Sequence, residues 1–544
     1  GTTRRLTCRV VPWPLPPLHR ASVQIHLALT GVNGQMLVQW ATQGSGATSE
    51  LVYYGVNRYN LNRTATGTST VLDDNGTMDP VLRLHYAVLT GLAVNTTYFY
   101  SIGSANSSSN LFFVNQPIRV GGKRYAVFAD LGACRRHPHN PPAHTRVLLL
   151  LRRLIRMYHR PCPRLAGYSN DVAVPQIIAE GNANLWVCAS VRGAARGCLH
   201  TRTHVRARAH THTHTHTHAH AHAVACVYAH QCARVQDGIV FPGDFAYDLE
   251  DNGGQNGNNF MNAIQPFASR YPMMVAAGNH EADVGQTFAQ YINRFAGIAA
   301  TAGALSGSNS NLWYSYNDGL VHFVVIDTEL YTEGGTPDQI AAQLQWLQND
   351  LAAVDRSVTP WVIAYGHQQG WMKHMESFAD ISQIFYNGGV DVYFCGHEVC
   401  ARLLLASFAG VRMRVRTAVR APHTLFVVRP RVPSVLPPVQ HNYQRLIPEL
   451  QLTPDASCMP DQNTYLNCAY TTTILVGSPG CDQGLGYKFA PDNLIVTSAL
   501  AYGFGHLQVV NATHMFWQWE ELPTPGAAAG ANYADQAWII NLSN

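Results

Sequence analysis

The sequence predicts a multidomain α+β protein in which an antiparallel β-sandwich precedes an α/β domain. Two patterns predict this order. Between residues 22 and 114, short runs of alternating apolar and polar residues are separated by turn residues, without a helical period, which is typical of a sandwich. Beyond residue 119, apolar strands alternate with helical segments such as 336–351, which begins with Thr-Pro-Asp and indicates an α/β domain. The length of 544 residues is sufficient for both.

The sandwich is predicted over residues 21–118, and the second domain over 119–544. Proline and glycine cluster near 116–123, which indicates a boundary there. Residues 1–20 are rich in arginine and proline; we leave them unassigned and expect them to be disordered. The alternating runs expected to form the sandwich strands are 23–27, 36–40, 51–54, 85–89, 97–102 and 111–114.

Five apolar strands of the second domain end in the same way, with Asp, Asn or His beside a glycine. These ends are Asp130-Leu131-Gly132, Gly243-Asp244, Gly278-Asn279-His280-Glu281, Gly366-His367 and Gly396-His397-Glu398. Open α/β sheets bind ligands at the carboxyl ends of their strands. Nitrogen and oxygen ligands without thiolate suit iron, zinc or manganese. One such end is more often a turn or a helix cap, but five together predict a metal site.

These motifs, with Tyr247 three residues after Asp244, resemble the signature set of the purple acid phosphatases. The similarity extends to Trp313-Tyr314-Ser315-Tyr316, to Gln345-Trp346-Leu347 and to Gly503-Phe504-Gly505-His506, and it covers about residues 21–544. The resemblance implies a fibronectin-III-like β-sandwich followed by an α/β metallophosphoesterase domain, with two mixed sheets flanked by helices.

The resemblance also implies a dinuclear centre of Fe(III) and a divalent ion, which is Zn, Fe or Mn. The implied metal ligands are Asp130, Asp244, Tyr247, Asn279, His367, His397 and His441. Asp244 would bridge the two ions, because a carboxylate has two oxygens. Asp130, Tyr247 and His441 would complete the ferric site, and the remaining three residues the divalent site. The alternative for Tyr247 is a core phenol with a satisfied hydroxyl group.

Two further histidines are implied to be catalytic. His280, next to Asn279, would stabilise the charge of the phosphoryl group or protonate the leaving alcohol. His374, seven residues after His367, is a second candidate, for which a surface histidine is the alternative.

The implied activity is that of an acid phosphatase, in which a metal-bound hydroxide attacks a phosphate monoester in line. A phosphodiesterase or nucleotide pyrophosphatase on the same scaffold is the alternative. The expected partners are small phosphate esters, with neither nucleic acid nor membrane, and a homodimer is left open.

Three segments, 133–167, 187–236 and 399–440, interrupt the resemblance. The third separates Gly396-His397-Glu398 from His441-Asn442-Tyr443, and its deletion would restore a Gly-His-x-His pattern. The segments contain no Asp, Glu or Lys but 21 arginines. The rest of the chain contains 16 basic and 33 acidic residues, so its net charge is −17, whereas that of the whole chain is +4. The basic charge of the chain is therefore no indication of nucleic-acid binding. We interpret the segments as retained introns and expect them to be irregular and exposed.

Residues 210–223 alternate histidine with threonine or alanine. A histidine-rich, metal-binding protein without catalysis is therefore a hypothesis from another class. It leaves the five strand ends unexplained.

Sequons and cysteines indicate the compartment. Six Asn-x-Ser/Thr sequons lie at Asn62, Asn75, Asn95, Asn106, Asn511 and Asn541, which favours a secreted or vacuolar glycoprotein, although this chain shows no signal-peptide pattern. Outside the segments and the N-terminus, the cysteines are Cys395, Cys458, Cys468 and Cys481. One disulfide within 458–481 is expected, with its pairing open. No apolar run approaches the ~20 residues of a membrane span.

Overall fold

The computed structural model describes residues 23–43, 50–72, 82–103, 111–115, 122–132, 236–283, 285–369, 375–397, 441–480, 485, 490–522 and 532–543. Residues 1–20 and the segments 133–167 and 399–440 lie outside these ranges, so the expectations made for them stay predictions. Of 187–236, only Gln236 is described. Gln236 is expected to be exposed, but it is buried, and its Nε2 donates to Nδ1 of His506 at 2.9 Å.

The described residues of the N-terminal part form two four-stranded sheets with orders β1-β2-β6-β5 and β4-β3-β7-β8. Their strands are β1 (Val23–Ala28), β2 (Met36–Gln43), β3 (Leu51–Gly55), β4 (Arg63–Thr66), β5 (Thr68–Val71), β6 (Leu82–Leu89), β7 (Thr96–Ile102) and β8 (Leu111–Asn115). All pairings are antiparallel. Trp40, Tyr54 and Tyr98 fill the core between the sheets. The predicted sandwich is confirmed.

Each of the six predicted runs lies within one of these strands. The prediction missed β4 and β5, whose residues are mostly exposed. Their Thr- and Arg-rich sequences bury no regular apolar face, so they show no alternation that could be recognised.

The second part contains two seven-stranded mixed sheets within the described residues, in the orders β13-β11-β9-β24-β25-β26-β21 and β14-β15-β16-β17-β22-β18-β23, and two short pairs, β10-β12 and β19-β20. The strands are β9 (Arg124–Val127), β10 (Leu131–Gly132), β11 (Gly238–Pro242), β12 (Phe245–Ala246), β13 (Met273–Ala276), β14 (Tyr314–Asp318), β15 (Val321–Val325), β16 (Trp361–Tyr365), β17 (Val392–Cys395), β18 (Tyr443–Leu446), β19 (Glu449–Leu450), β20 (Thr453–Pro454), β21 (Thr464–Leu466), β22 (Thr472–Val476), β23 (Ile495–Ala499), β24 (Gly503–Val509), β25 (His514–Glu521) and β26 (Asn532–Ile540).

Helices cover the outer faces of these two sheets. They are α1 (Gln255–Ala268), α2 (Ala289–Arg294), α3 (Ala296–Ile298), α4 (Pro337–Ala352) and α5 (Met375–Gly388). Strand β16 is apolar throughout because both of its faces are buried. Ile363 belongs to the core between the two sheets, and Val362 belongs to the core under α4 and α5. The predicted fold class, a β-sandwich followed by an α/β domain, is confirmed.

Helix α4 begins as predicted, with a capping box in which Thr336 accepts from the Gln339 backbone. Ile340, Leu344, Leu347 and Leu351 recur at helical spacing along α4, a pattern that predicts one core-facing side. Leu347 and Leu351 are buried, whereas Ile340 and Leu344 are only partly so. Gln343 is also buried. Its side-chain amide forms hydrogen bonds with both the backbone N–H and the backbone carbonyl of Asp327.

A disulfide joins Cys458 to Cys468, and Cys395 is free and buried. Cys481 lies outside the described residues. Among the helices in the described ranges, none is both long and apolar enough to cross a membrane.

Candidate metal centre

The polar strand ends meet at one edge of the two sheets. Strands β9, β11 and β13 are parallel neighbours in the first sheet, and β16 and β17 are parallel neighbours in the second. Their carboxyl ends therefore point the same way. Strand β18 runs antiparallel to β22, so that its beginning, preceded by His441, lies at this same edge. This direction explains why six of the expected ligands follow a strand and one precedes it.

The backbone is held in an uncommon conformation at this edge. Asp130, Asp244, Tyr247 and His397 all have left-handed φ values between 55° and 62°. Such values cost free energy in residues other than glycine and persist where surrounding contacts over-determine them, often at functional sites. Gly396 has a different role, because a Cβ there would lie 2.5 Å from Oδ2 of Asp130. Gly396 thus makes room for the carboxylate of Asp130, and Gly278 for that of Asp244.

One group of ligand atoms comprises Asp244, Asn279, His367 and His397. Nδ1 of His367 donates to the carbonyl oxygen of Pro242 at 2.9 Å, so that Nε2 faces Oδ1 of Asn279 at 3.1 Å and Oδ2 of Asp244 at 3.2 Å. Nδ1 of His397 lies 2.8 Å from the same Asn279 oxygen and 3.2 Å from Nε2 of His367. Four potential ligand atoms therefore converge on one small volume.

A second group comprises Asp130, Asp244, Tyr247 and His441. Nε2 of His441 lies 3.4 Å from Oδ1 of Asp130 and 2.7 Å from the Tyr247 hydroxyl oxygen, which is itself 3.5 Å from Oδ1 of Asp130. Ligand atoms of Asp130, Asp244 and His441 lie within 4.8 Å of one another, as do those of Asp244, His367 and His397. Asp244 belongs to both groups. This is the arrangement expected of a bridging carboxylate.

The electrostatics of these groups also fit cations. Burial tends to raise the pKa of Asp244, but His367 and His280 outweigh burial and lower it. Burial tends to lower the pKa of His367, but Asp244 raises it to about 10. Burial and the neighbouring His367 lower the pKa of His397 well below its usual value. A bound metal ion would require the ligand atoms of Asp244 and His367 to be free of protons, so metal binding at this cluster would release protons. The oxygen and nitrogen donors match hard or borderline cations.

Sequence reasoning missed the residue that joins two of the strand-end loops. The carboxylate of Glu281, which is fully buried, accepts hydrogen bonds from the backbone N–H groups of Asp244 at 2.8 Å, Phe245 at 2.7 Å and Gly278 at 2.9 Å. Burial, followed by the charge of Asp244, raises its pKa. Glu281 belongs to the motif that supplied Asn279, but nothing in the sequence shows which distant N–H groups it would meet.

A sixth strand end was also missed. Strand β15 leads into Asp327-Thr328-Glu329, and Oγ1 of Thr328 accepts from the backbone N–H of His367 at 3.2 Å. Glu329 accepts from the side-chain amide of Gln368 at 2.9 Å. The signal was present, because an apolar run again ends in an aspartate, but no glycine accompanies it.

The structure describes one of the two expected catalytic histidines, His280, and not the other. His280 lies beside the centre: its Nε2 is 4.0 Å from Oδ2 of Asp244, its Nδ1 is 2.7 Å from Oδ1 of Asp248, and its ring centroid is 4.3 Å from that of Tyr247. Burial tends to lower its pKa, but Asp244 and Asp248 raise the pKa to about 9. His374 lies outside the described residues.

Three family profiles match consecutive parts of the chain. The purple acid phosphatase N-terminal domain matches residues 22–115, the calcineurin-like phosphoesterase 197–401, and the iron/zinc purple acid phosphatase-like protein C 470–521.

Two of three similar proteins match most of the chain, and the third matches a quarter of it. Acid phosphatase type 7 of Danio rerio is 24% identical over 534 residues, which cover 92% of this chain and 88% of the relative. The protein of the same name from Homo sapiens is 23% identical over 548 residues, covering 96% and 91%. Purple acid phosphatase 23 of Arabidopsis thaliana is 38% identical over 145 residues, covering 25% and 30%.

A solved structure is similar in fold. It is a purple acid phosphatase isolated from yellow lupin (Lupinus luteus) seeds, which superposes with a TM-score of 0.58 at 17% identity and covers 96% of this chain and 75% of that chain.

Proposed function

Because the chain belongs to the purple acid phosphatase family, we propose that it is an acid phosphatase that hydrolyses phosphate monoesters at a dinuclear metal centre. The observation that supports this most directly is the position of Asp244 in both groups of ligand atoms. A carboxylate shared between two clusters of nitrogen and oxygen donors suits two adjacent cations. When bound, such a pair of ions supplies an activated water and positive charge for an in-line displacement at phosphorus.

The ligand roles follow the two groups. Asp130, Tyr247 and His441 hold one ion together with Asp244, and we assign Fe(III) to this site, because a phenolate favours a hard cation. Asn279, His367 and His397 hold the other ion, which is Zn, Fe or Mn, since one amide oxygen and two imidazoles suit a divalent metal.

The chain's own residues supply the remaining chemistry. His280 faces the centre with Nε2 and remains partly exposed, with 18% of its side chain accessible. It would therefore stabilise the charge of the phosphoryl oxygens or give a proton to the leaving alcohol. His374 is retained as the second catalytic candidate.

The domain limits, compartment and oligomeric state complete the proposal. The sandwich, with a fibronectin-III-like topology, occupies 21–118 and the metallophosphoesterase domain 119–544.

Three sequon asparagines, Asn62, Asn95 and Asn511, are exposed, and the Cys458–Cys468 disulfide is suited to an oxidising compartment. Both features support a secreted or vacuolar glycoprotein, and size-exclusion chromatography would decide whether it forms a homodimer.

The substrate class is tested by comparing two chromogenic esters. The metal-loaded chain should turn over p-nitrophenyl phosphate with a higher kcat/KM than bis(p-nitrophenyl) phosphate. Preference for the diester would instead support a phosphodiesterase. Hydrolysis of neither ester by protein that contains two ions per chain would refute the proposed function.

A further inference from the structure

A cavity beneath α5, on the outer face of the second large sheet, contains none of the residues of the metal centre. Its volume is about 110 Å³, comparable with the ~150 Å³ of an apolar cavity that accommodates benzene. Its walls come from α5, from strands β17 and β22 and from the short β19-β20 pair, and they include Phe378, Phe385, Tyr393, Glu449, Gln451 and Leu452. The size and position of the cavity make it a candidate for a second binding site.

Three aromatic rings line this cavity. The ring centroid of Tyr393 lies 6.3 Å from that of Phe378 and 5.5 Å from that of Phe385, with the ring planes inclined by 58° and 50°. The Tyr393 hydroxyl donates to the carbonyl oxygen of Gln368 at 2.7 Å, so its proton is already used in a hydrogen bond within the protein. Inclined rings of this kind attract cations, because the face of an aromatic ring carries partial negative charge.

The carboxylate of Glu449 lines the same cavity. Its Oε2 accepts from the backbone N–H of Leu452 at 2.6 Å, and among the described residues no Lys, Arg or His forms an ion pair with it. Burial raises the pKa of Glu449, although the Leu452 N–H acts in the opposite direction. Because a partly buried carboxylate is stabilised by a neighbouring cation, a positively charged ligand would match this side chain.

The turn between β19 and β20 holds Glu449 at the cavity at a conformational cost. Gln451 and Leu452 are consecutive residues with left-handed φ values of 50° and 64°, a combination for which Asn-Gly is the favoured sequence. The Gln451 backbone N–H donates to Oγ of Ser382 in α5 at 3.2 Å, which attaches the turn to the helix. Gln451 is exposed and Ser382 is partly exposed, so the cavity borders solvent here. Backbone strain of this kind is frequent where a protein holds a ligand.

We propose that this cavity binds a small organic cation, whose ammonium group lies against the rings of Phe378, Phe385 and Tyr393 and pairs with the carboxylate of Glu449. Aromatic rings together with a carboxylate recognise ammonium groups, whereas a metal ion would require several oxygen or nitrogen ligands. An anion would be repelled by Glu449. The proposal does not depend on the phosphatase function, because none of these side chains is an expected metal ligand.

The test is isothermal titration of the metal-loaded full chain with choline, with tetramethylammonium and with 3,3-dimethylbutan-1-ol, in which carbon replaces the quaternary nitrogen of choline. One of the two cations or both should bind at one site per chain. The neutral alcohol should bind at least about tenfold more weakly than choline, because only an ammonium group is attracted by the rings and by Glu449. Saturation with inorganic phosphate should change cation binding less than about twofold, since the cavity is separate from the metal centre.

Two variants assign the binding to this cavity. Glu449→Gln keeps an acceptor for the Leu452 N–H and should weaken cation binding about tenfold, as for the loss of one charge-assisted contact. Phe385→Leu replaces a ring by an apolar side chain and should weaken it about threefold. Asp338→Asn, which neutralises an exposed carboxylate in the first turn of α4, is the matched control and should leave the affinity unchanged.

The comparison of choline with its neutral analogue needs no variant, so the proposal stays testable should a variant not fold. It would be overturned if neither cation bound up to about 10 mM, or if the affinity were unaltered by both Glu449→Gln and Phe385→Leu. Equal affinities for choline and the neutral alcohol would also overturn it and would assign the cavity to an uncharged ligand. An equal loss in Asp338→Asn and Glu449→Gln would indicate nonspecific attraction to surface charge, with the same consequence.

Discussion

At the scale of single residues, the centre depends on Asp244, whose two oxygens face different neighbours. Oδ1 accepts from the backbone N–H of His280 at 3.0 Å, and Oδ2 lies 3.2 Å from Nε2 of His367. Because the same side chain also belongs to the group of Asp130 and His441, neither group is complete without it.

We expect Asp244→Ala to reduce the metal content from about two ions per chain to less than one, because a bridging ligand serves both sites. Asn279→Ala should remove only the ion held with His367 and His397, leaving about one. Metal analysis of purified variants measures both. Equal losses in the two variants would contradict a bridging role for Asp244.

His26 is a buried residue with an unusual protonation state. Its Nδ1 donates to the carbonyl of Gln24 at 2.8 Å, and its Nε2 is buried without a hydrogen-bond partner among the described residues. Burial lowers its pKa to about 4, and the charge of Arg294 acts in the same direction. The folded protein therefore keeps this imidazole neutral at pH values where the unfolded chain binds a proton.

This protonation difference predicts a loss of stability in acid. The contribution of His26 is fully present above pH 6.5 and is lost as the pH falls from 6.5 towards 4, because the unfolded state then binds more protons. A depression of about 2.5 pKa units corresponds to roughly 3 kcal/mol over this window. Urea unfolding of wild type and His26→Asn at several pH values should show a shallower pH dependence in the variant. Parallel curves would contradict the prediction.

At the scale of elements, the strand that follows His441 is anchored by a buried ion pair. Arg445 in β18 donates from Nε and Nη2 to the carboxylate of Asp535 in β26, at 2.7 and 2.9 Å, and the Tyr443 hydroxyl donates to the same carboxylate at 2.5 Å. Arg445 is 1% exposed. The pair thus joins the two large sheets close to the start of β18.

Removing one member of this ion pair should lower the free energy of unfolding much more than replacing both members with apolar residues. Asp535→Ala leaves the guanidinium buried and should destabilise the protein by about 3–5 kcal/mol. It should also weaken metal binding, because β18 carries His441 into the centre. Denaturant unfolding and metal analysis would measure the two effects. The double variant Arg445→Met with Asp535→Leu should recover much of the stability, and a double variant as unstable as Asp535→Ala would refute this explanation.

At the scale of the whole molecule, polar contacts join the sandwich to the second domain. The guanidinium of Arg294 in α2 donates to side-chain oxygens of Gln24 in β1, at 2.8 Å, and of Asn258 in α1, at 3.0 Å. The Tyr100 hydroxyl donates to the carbonyl of Ser269 at 2.7 Å. These contacts fix the sandwich against α1 and α2.

The three interrupting segments are predicted to be dispensable. His397 and His441, which flank 399–440, both contact Asp130, through the His397 backbone N–H at 3.2 Å and through Nε2 of His441 at 3.4 Å. A connection through Glu398 alone should therefore suffice. A variant lacking 133–167, 187–235 and 399–440 keeps Gln236, which packs on His506.

This variant should retain two metal ions and phosphatase activity. Isoelectric focusing should show that it has become acidic, because the segments carry 21 of the 37 basic residues. A soluble, folded deletion variant that binds no metal would contradict the prediction, and a transcript that reads through 399–440 in every cDNA would refute the retained-intron interpretation.

The sequence by itself determined the order of the two domains and the strand ends that carry polar residues. Apolar runs that end in Gly-Asp or Gly-His are local patterns, and burial dictates them one strand at a time. The resemblance built on these motifs then placed His280 and the seven expected ligands in one centre, and the described structure brings those eight residues together.

Only the tertiary structure decided which groups these residues meet. Glu281 accepts from the N–H groups of Asp244 and Phe245, which lie 37 and 36 positions earlier, and Asp248 faces a histidine 32 positions later. Arg445 pairs with Asp535, which lies 90 positions later. Neither periodicity nor composition encodes such pairings, because they depend on how parallel strand ends are brought side by side. The polar strands β4 and β5 escaped prediction for the same reason, since neighbouring strands and not an apolar pattern of their own hold them in place.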